Sequence, residues 1–209
     1  GFKSKNKVFT IAEIGINHSG DIEKAKRLIE SAARTGCDAV KFQTYLTEKR
    51  APRANKAIYN ILKKCELPFS AFKILQKCAM EEGVIFFSTA FDSESIDFLE
   101  SISVDLYKIA SFDVVNEFLL KKLILTKKPL IVSVGMANLD EISKAHEILI
   151  KGTDKIALLH CISAYPTKLS TVNLNTIPFF KEKFNCTVGF SDHTTSELIP
   201  ALAVISGAQ

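Results

Sequence analysis

Three features are absent from the sequence, and each absence excludes a class of protein. No apolar run reaches the roughly 18 residues that a membrane-spanning helix needs. No Lys/Arg block occurs and the net charge is only +4, so the scattered lysine pairs indicate solvated helix faces rather than a nucleic-acid surface. The five cysteines include no C-x-x-C pair, which argues against a zinc finger or disulfide framework and for reduced thiols in a cytoplasmic protein.

The first residues are basic and then apolar, as in a secretory signal. However, Glu13 interrupts the apolar run and no small-residue cleavage site follows. We therefore expect no signal peptide.

Short apolar runs alternate with longer amphipathic segments along the chain. The predicted strands are residues 8–15, 38–44, 84–91, 106–112, 129–136, 155–163 and 187–193, and the predicted helices are residues 21–36, 69–83, 93–102, 116–126, 139–152, 174–184 and 196–208. Nearly continuous apolar strands are typical of a parallel sheet that is covered on both faces. Their alternation with helices predicts right-handed βαβ units.

Helix-capping residues and glycines support these boundaries. Asp21 and Ser93 are placed to cap helix starts by accepting free backbone N–H groups. Gly36, Gly83 and Gly152 lie where a helix commonly ends in the left-handed conformation.

Seven strand–helix units are too many for a small flavodoxin-like sheet and one fewer than a (β/α)₈ barrel, which usually needs about 250 residues. We predict an α/β TIM barrel, truncated after the seventh strand–helix unit, in preference to an open doubly wound sheet. No linker is visible, so residues 1–209 are expected to form one incomplete barrel domain. The first and seventh strands of such a barrel would have unpaired edges.

Polar residues occur late in the predicted strands, where parallel α/β folds place their sites. The set comprises Glu13, Lys41, Gln43, Ser88, Thr89, Lys108, Ser111, Ser133, Cys161, Ser163, Tyr165, Ser191 and His193. Lys108 and Ser111 would lie on opposite faces of a regular strand, so we expect the chain to turn between them.

Lys41 and Lys108 each place an ammonium group in an apolar strand, and Ser111, Ser133 and Ser191 place hydroxyls late in the predicted strands. Together they suggest a cradle for a dianion such as a phosphate or a carboxylate. The alternative is structural pairing, in particular an ion pair between Lys41 and Glu13 on the neighbouring strand.

The four histidines allow different interpretations. His193 could be a metal ligand, a general base or a turn residue, and one imidazole alone cannot hold a divalent ion. His160 is predicted to be structural and His146 to be solvated on a helix face. His18 follows the first strand, where a substrate contact and a simple turn are equally compatible with the pattern.

The motifs "IAEIGINHSGD", "AVKFQTY", "FFSTAFD", "LYKIAS", "VSVGM", "SAYPT" and "VGFSDHT" together resemble the sialic acid synthase family, including its pseudaminic and legionaminic acid branches. The resemblance covers almost the whole chain in family order. It implies a TIM barrel that condenses phosphoenolpyruvate with an N-acetylated aldose, either N-acetylmannosamine or a bacterial di-N-acetyl deoxy sugar. The product would be a nine-carbon 2-keto acid, with phosphate released by C–O cleavage.

The resemblance also implies residue roles, a divalent manganese or magnesium ion and a full-length homodimer. Glu13, Asp113 and His193 would be catalytic, with His193 a metal ligand, while Lys41, Gln43, Thr89, Lys108, Ser111, Ser133, Ser163, Tyr165 and Ser191 would bind substrate. Asp113 replaces a glutamate of many members, and Ser163 replaces an asparagine of the neuraminate branch.

Two family features are not found in these 209 residues: a second metal histidine on the eighth strand, in a motif like "EKHF", and a C-terminal antifreeze-like domain. We therefore expect this chain alone to be inactive or very weak. A related phosphoenolpyruvate-dependent ulosonate synthase and a non-catalytic binding fragment are the alternatives. The former would need further basic residues for a phosphorylated sugar.

Overall fold

The computed structural model describes residues 8–209. These residues contain seven strands: β1 (Ile11–Gly15), β2 (Ala39–Thr44), β3 (Ile85–Ala90), β4 (Tyr107–Ile109), β5 (Leu130–Ser133), β6 (Ile156–His160) and β7 (Thr187–Phe190). All seven predicted strands are therefore present, most of them shorter than the apolar runs that predicted them.

Nine α-helices occur in the described part of the chain. They are α1 (Ile22–Arg34), α2 (Thr47–Arg50), α3 (Lys56–Cys65), α4 (Phe69–Glu81), α5 (Ser93–Ser101), α6 (Glu117–Ile124), α7 (Leu139–Leu149), α8 (Thr176–Phe184) and α9 (Leu198–Ile205), with short 3₁₀ turns at Ser111–Asp113 and Leu169–Thr171. Within residues 8–209, none of the helices has the length and apolar character required to cross a membrane.

The chain divides into two compact units, an amino-terminal unit of residues 9–107 and a carboxyl-terminal unit that contains residues 108–209. In the amino-terminal unit β1, β2 and β3 are parallel neighbours in chain order. The register places Lys41 opposite Glu13 on one side, and Gln43 opposite Thr89 on the other. Helix α1 packs beside α4, and fully buried side chains such as Phe42, Phe72 and Phe87 form the core.

In the carboxyl-terminal unit β5, β6 and β7 are again parallel and in chain order. Val132, Leu158 and Val188 lie side by side across the three strands, and each is no more than 1% exposed. Helix α6 packs beside α7. The parallel βαβ pattern predicted from the sequence is thus confirmed within each unit.

The helix ends agree with the sequence in part. Asp21 caps α1 by accepting from the Lys24 N–H at 3.0 Å, as predicted. The cap predicted at Ser93 is wrong, because Asp92 precedes it in an extended conformation and accepts from the Ser95 N–H at 2.7 Å. An ionised carboxylate is an acceptor of the kind that free N–H groups at a helix start require.

Two of the three predicted left-handed glycines are confirmed and the third is not. Gly36 and Gly83 have φ of +83° and +74°, so the left-handed helix ends are confirmed there. Gly152 is not left-handed. It is required for close packing, because a Cβ at that position would lie 2.6 Å from the Ile124 carbonyl oxygen.

Two local features differ from a simple strand–helix alternation. Residues 45–68, for which the sequence predicted neither a strand nor a helix, contain α2 and α3, and these helices pack around a small cluster of Tyr45, Ala51 and Leu62. At β4 the strand ends at Ile109 and a 3₁₀ turn begins at Ser111. This confirms the predicted turn between Lys108 and Ser111.

Candidate active site

Lys41 is the centre of a polar cluster on β2, which we call the Lys41 cluster (Glu13, Lys41 and Thr89). The Lys41 ammonium donates to Thr89 Oγ1 at 2.9 Å and lies 2.9 Å from Glu13 Oε2. Lys41 is 5% exposed and Thr89 is 1% exposed, whereas the Glu13 side chain is 55% exposed. The ion pair considered as an alternative is therefore present, and Glu13 reaches solvent instead of being buried in the sheet.

Gln43 lies two residues further along the same face of β2. Its Oε1 accepts from Arg50 Nη1 at 3.1 Å. The Arg50 guanidinium stacks on the ring of Phe91, with 3.5 Å between the guanidinium carbon and the ring centroid. Arg50 was not among the residues predicted from the sequence, since it lies outside all the predicted strands and helices.

Gly15 and His18 shape the loop after β1. Gly15 has φ of +55°, and a Cβ there would lie 3.0 Å from Glu13 Oε1. His18 is 1% exposed, and its Nδ1 accepts from the Gly20 N–H at 3.0 Å. Burial lowers the pKa of His18, and a hydrogen bond with the Gly15 backbone opposes this only partly. His18 is therefore a buried turn residue, and a substrate contact of its side chain stays a prediction.

The second group of contacts, which we call the His193 cluster (Tyr165, Ser191 and His193), follows β6 and β7. His193 Nδ1 lies 2.7 Å from the Ile162 carbonyl oxygen, and His193 Nε2 lies 3.4 Å from Ser191 Oγ. The exposed ring of Tyr165 stacks on the imidazole with 4.2 Å between centroids. The intervening Asp192 closes a turn by accepting from the Thr194 N–H at 2.8 Å.

The backbone contact decides the tautomer of His193. A carbonyl oxygen only accepts, so Nδ1 carries the proton that it receives, and in the neutral imidazole Nε2 has the lone pair. Metal-binding histidines typically have this arrangement, in which the non-ligating nitrogen donates to a backbone carbonyl. His193 therefore fits a metal-ligand role, although no group of three metal-binding side chains is found among residues 8–209.

Ser111, predicted to bind an anion, is held by neighbours from two other loops. Its Oγ accepts from the Gly135 N–H at 3.1 Å and lies 3.4 Å from the sulfur of the buried Cys161. Lys108, 8% exposed, donates to the Ile109 carbonyl oxygen at 2.8 Å. A Cβ at Gly135 would come within 2.5 Å of the Cys161 carbonyl oxygen, so the glycine allows this close approach.

Three further predicted residues have different environments. Asp113 is buried in the 3₁₀ turn, with Asn116 Nδ2 3.4 Å from its Oδ1. Ser133 is buried as the last residue of β5. Ser163 is exposed in the loop after β6.

The structure therefore brings the predicted residues together in groups within each unit. Glu13, Lys41 and Thr89 form direct contacts in the amino-terminal unit, and Tyr165, Ser191 and His193 do so in the carboxyl-terminal unit. That these groups act on one substrate stays a prediction.

The two remaining histidines are both packed. His160 Nε2 lies 2.7 Å from the Val172 carbonyl oxygen, as expected for a structural residue. The prediction for His146 holds in part: it lies on α7 and is half-buried, but its ring packs on Phe184 with 5.2 Å between centroids, and burial lowers its pKa.

Comparisons with known proteins agree on one family. The model of the NeuB family matches residues 28–209. The chain is 40% identical to an N,N'-diacetyllegionaminic acid synthase of Campylobacter jejuni, covering 97% of this chain and 65% of that protein. It is 37% identical to a pseudaminic acid synthase of the same species, covering 100% of this chain and 65% of the relative. An N-acetylneuraminate-9-phosphate synthase of Mus musculus is 31% identical over 98% of this chain and 61% of its own length.

Solved structures show the fold. An N-acetylneuraminic acid synthetase from Leptospira borgpetersenii, in complex with citrate, is 39% identical and superposes with a TM-score of 0.94, covering 97% of this chain and 71% of that one. A truncated 3-deoxy-D-arabino-heptulosonate 7-phosphate synthase from Thermotoga maritima is only 16% identical, with a TM-score of 0.71 over 97% of this chain and 73% of that one. The predicted α/β TIM-barrel class is confirmed over the doubly wound alternative.

The chain spans about three fifths of the length of the curated relatives that it matches. Within that span the family match covers most of the residues, including Lys41, Lys108, Ser191 and His193. The chain belongs to the NeuB family.

Proposed function

We propose that the protein condenses phosphoenolpyruvate with an N-acetylated aldose, giving a nine-carbon 2-keto sugar acid and free phosphate. The relatives named above are synthases of such acids. The observation that carries the proposal is the Lys41 cluster, in which a buried ammonium within β2 is held by a hydroxyl and a carboxylate. A buried cation beside hydroxyl donors suits an anionic substrate.

Lys41 and Lys108 are the residues that we assign to the phosphate and carboxylate groups of phosphoenolpyruvate, with the hydroxyls of Thr89, Ser111, Ser133 and Ser191 as further donors. Charge-assisted hydrogen bonds are about twice as strong as neutral ones. In a pocket that excludes water they stabilise the charge that develops as phosphate leaves. Both lysines are less than 10% exposed, which supports this role.

His193 is the residue that we assign to a divalent manganese or magnesium ion, through its unprotonated Nε2. When bound, such an ion acts as a Lewis acid toward the sugar aldehyde. Ser191 lies beside Nε2, and Tyr165 covers one face of the imidazole, so both limit how the ring can turn. Glu13 and Tyr165 are exposed and are assigned to the sugar, together with Gln43 and Ser163.

Asp113 is assigned to the reacting centre. Its buried position in the turn after β4 supports a fixed orientation, because neighbouring side chains limit its rotamers. It is one methylene shorter than the glutamate implied by the family resemblance.

The place of action and the assembly are also proposals. All five cysteines are free thiols, as expected for a cytoplasmic protein. The homodimer that the family resemblance implies stays a prediction.

The decisive experiment measures phosphate release by the protein that carries this sequence. Phosphoenolpyruvate and Mn²⁺ are supplied with N-acetylmannosamine or with a di-N-acetyl deoxy hexose. We expect sugar-dependent release, and phosphoenolpyruvate labelled with ¹⁸O in the bridging position should deliver the label to phosphate. That outcome shows C–O cleavage, because P–O cleavage would leave the label on the C2 oxygen of the nine-carbon keto acid.

Two results would contradict the proposal. Phosphate release that does not require a sugar would indicate a different reaction. Binding of phosphoenolpyruvate in a calorimeter, without turnover on any N-acetylated aldose, would favour a binding module.

A further inference from the structure

The segment between β2 and α3 places Arg50 beside Gln43, two residues beyond Lys41 on β2. Helix α2 is anchored at its start, where the Leu46 N–H donates to Asp92 Oδ2 at 2.9 Å and the Thr47 N–H donates to Glu66 Oε2 at 3.0 Å. Two ion pairs tie the following residues to α3 and α5. The last residue of α2, Arg50, is therefore held in place by the backbone that carries it.

Arg50 also has a fixed side chain. Its guanidinium lies 3.5 Å from the ring centroid of Phe91 and 4.9 Å from that of Tyr45, and it donates to Gln43 Oε1 at 3.1 Å. Arginine offers donors only, so the Gln43 amide must present its oxygen to Arg50. The amide nitrogen Nε2 is consequently turned to the opposite side as a donor.

That donor lies close to a carboxylate oxygen. A Cβ at Gly15 would lie 3.6 Å from Gln43 Nε2 and 3.0 Å from Glu13 Oε1, so both atoms border the same point in space. The other oxygen, Glu13 Oε2, is engaged by Lys41 at 2.9 Å. Because Gly15 has no side chain, it leaves space between the Gln43 amide donor Nε2 and the Glu13 carboxylate acceptor Oε1.

A hydroxyl group complements this gap, because it accepts one hydrogen bond and donates another. We propose that Arg50 is a positioning residue for sugar binding, which holds the Gln43 amide so that Nε2 donates to a sugar hydroxyl that in turn donates to Glu13. Arg50 itself does not contact the sugar. The inference rests on the proposed function and adds the orientation of one specificity-determining group.

Steady-state kinetics with both substrates test this role. In Arg50→Ala we expect the KM for the sugar to rise about tenfold, near the upper end for loss of one neutral hydrogen bond, while the KM and the calorimetric Kd for phosphoenolpyruvate change less than about twofold. Arg53→Ala is the matched control, because Arg53 is an exposed arginine three residues away. It should leave both KM values unchanged.

Two further variants separate positioning from folding. Gln43→Glu keeps a partner for Arg50 but replaces the Nε2 donor with an acceptor, so it should raise the sugar KM by a similar factor without lowering the melting temperature. The double variant Arg50→Ala/Gln43→Ala should be no worse than Gln43→Ala alone, because Arg50 acts through Gln43. Arg50→Lys should be intermediate, since lysine restores the charge but not the planar stacking on Phe91.

Several outcomes would overturn the inference. These are an unchanged sugar KM in Arg50→Ala, an equal rise of both KM values, multiplicative effects in the double variant, or an equal effect of Arg53→Ala. A wild-type protein with no sugar-dependent turnover would instead overturn the proposed function, and the sugar site with it.

Discussion

The Lys41 cluster and the His193 cluster hold their central side chains in different ways. Lys41 is buried between groups from the adjacent strands, so the register of β1, β2 and β3 sets its contacts. His193 is only partly buried, and loop backbone sets its contacts. The Ile162 carbonyl oxygen contacts the His193 ring, and the Thr167 N–H donates to the His193 carbonyl oxygen at 2.8 Å.

The two clusters are therefore held in place by different parts of the fold. A polar residue inside a sheet is fixed by many strand hydrogen bonds, whereas one on a loop is fixed by a few specific contacts. We therefore expect substitutions in the two clusters to impair different functions, the use of phosphoenolpyruvate for Lys41 and metal binding for His193, in the order given below.

The largest expected effect is that of Lys41→Met on catalysis. Removal of the ammonium should lower kcat/KM for phosphoenolpyruvate by about 100-fold, since a hydrogen bond to a charged group contributes roughly 1.5–3 kcal/mol and 1.4 kcal/mol is a factor of ten. Unfolding in urea should change little, because Glu13 is exposed enough to regain water when its partner is lost. Steady-state kinetics and urea titration check the two parts.

Lys77→Met is the control for charge removal, because Lys77 forms only an exposed i,i+4 pair with Glu81. It should keep wild-type kcat/KM. Full activity of Lys41→Met would show that the Lys41 cluster is purely structural.

The second effect is that of His193→Gln on metal binding. Loss of Nε2 should weaken Mn²⁺ binding by at least about tenfold, the lower bound for disturbing even an outer contact of a metal site. Calorimetric titration with Mn²⁺ measures this directly, without reliance on turnover. Stability should be nearly unchanged, because the imidazole is only partly buried.

His146→Gln is the matched control for this measurement, since His146 lies on α7 and packs on Phe184. Equal Mn²⁺ affinity in wild type and His193→Gln would refute the ligand assignment. An equal loss in His146→Gln would show that the effect is not specific to the His193 cluster.

The smallest effect is a pH dependence of stability in the loop next to the Lys41 cluster. Burial, with a minor contribution from Lys24, lowers the pKa of His18 below 6.5 in the folded state, so the unfolded state binds more protons. The stability from neutral His18 is complete above pH 6.5 and is lost as pH falls through 6.5 toward the folded pKa. Urea titrations at pH 7.5 and at pH 5.5 measure this loss.

His18→Asn removes this titration, while its Oδ1 can still accept from the Gly20 N–H. The loss of stability between the two pH values should then become smaller, and the part that remains includes His146, whose pKa burial also lowers. An unchanged loss in His18→Asn would exclude His18 as its source.

The elements were largely predictable, since a buried strand must be apolar and a surface helix must be amphipathic whatever its neighbours are. Errors occurred where local cues competed. Asp92, not Ser93, caps α5 because of its backbone conformation. Helices α2 and α3 were missed because their apolar faces are small and cover only a local cluster.

The candidate residues could be named from the sequence, whereas their contacts could not, and their roles stay predictions. Lys41 stands out in the sequence as a charged residue within an apolar strand, and Ser191 and His193 stand out as polar residues at the end of one. Arg50 gave no such signal, since its role depends on Gln43 and Phe91. Cys161 was noted as a strand residue, but nothing in the sequence indicated its contact with Ser111.

For this protein, the sequence by itself determined the alternation of strands and helices and the polar residues that end the strands. Both follow from hydrophobic periodicity, which is a local property of the chain. Only the tertiary structure decided that Lys41 bonds Thr89 and Glu13, that Ile162 sets the tautomer of His193, and that Arg50 orients Gln43. These contacts depend on strand register and loop packing, which bring together residues from separate elements of the fold.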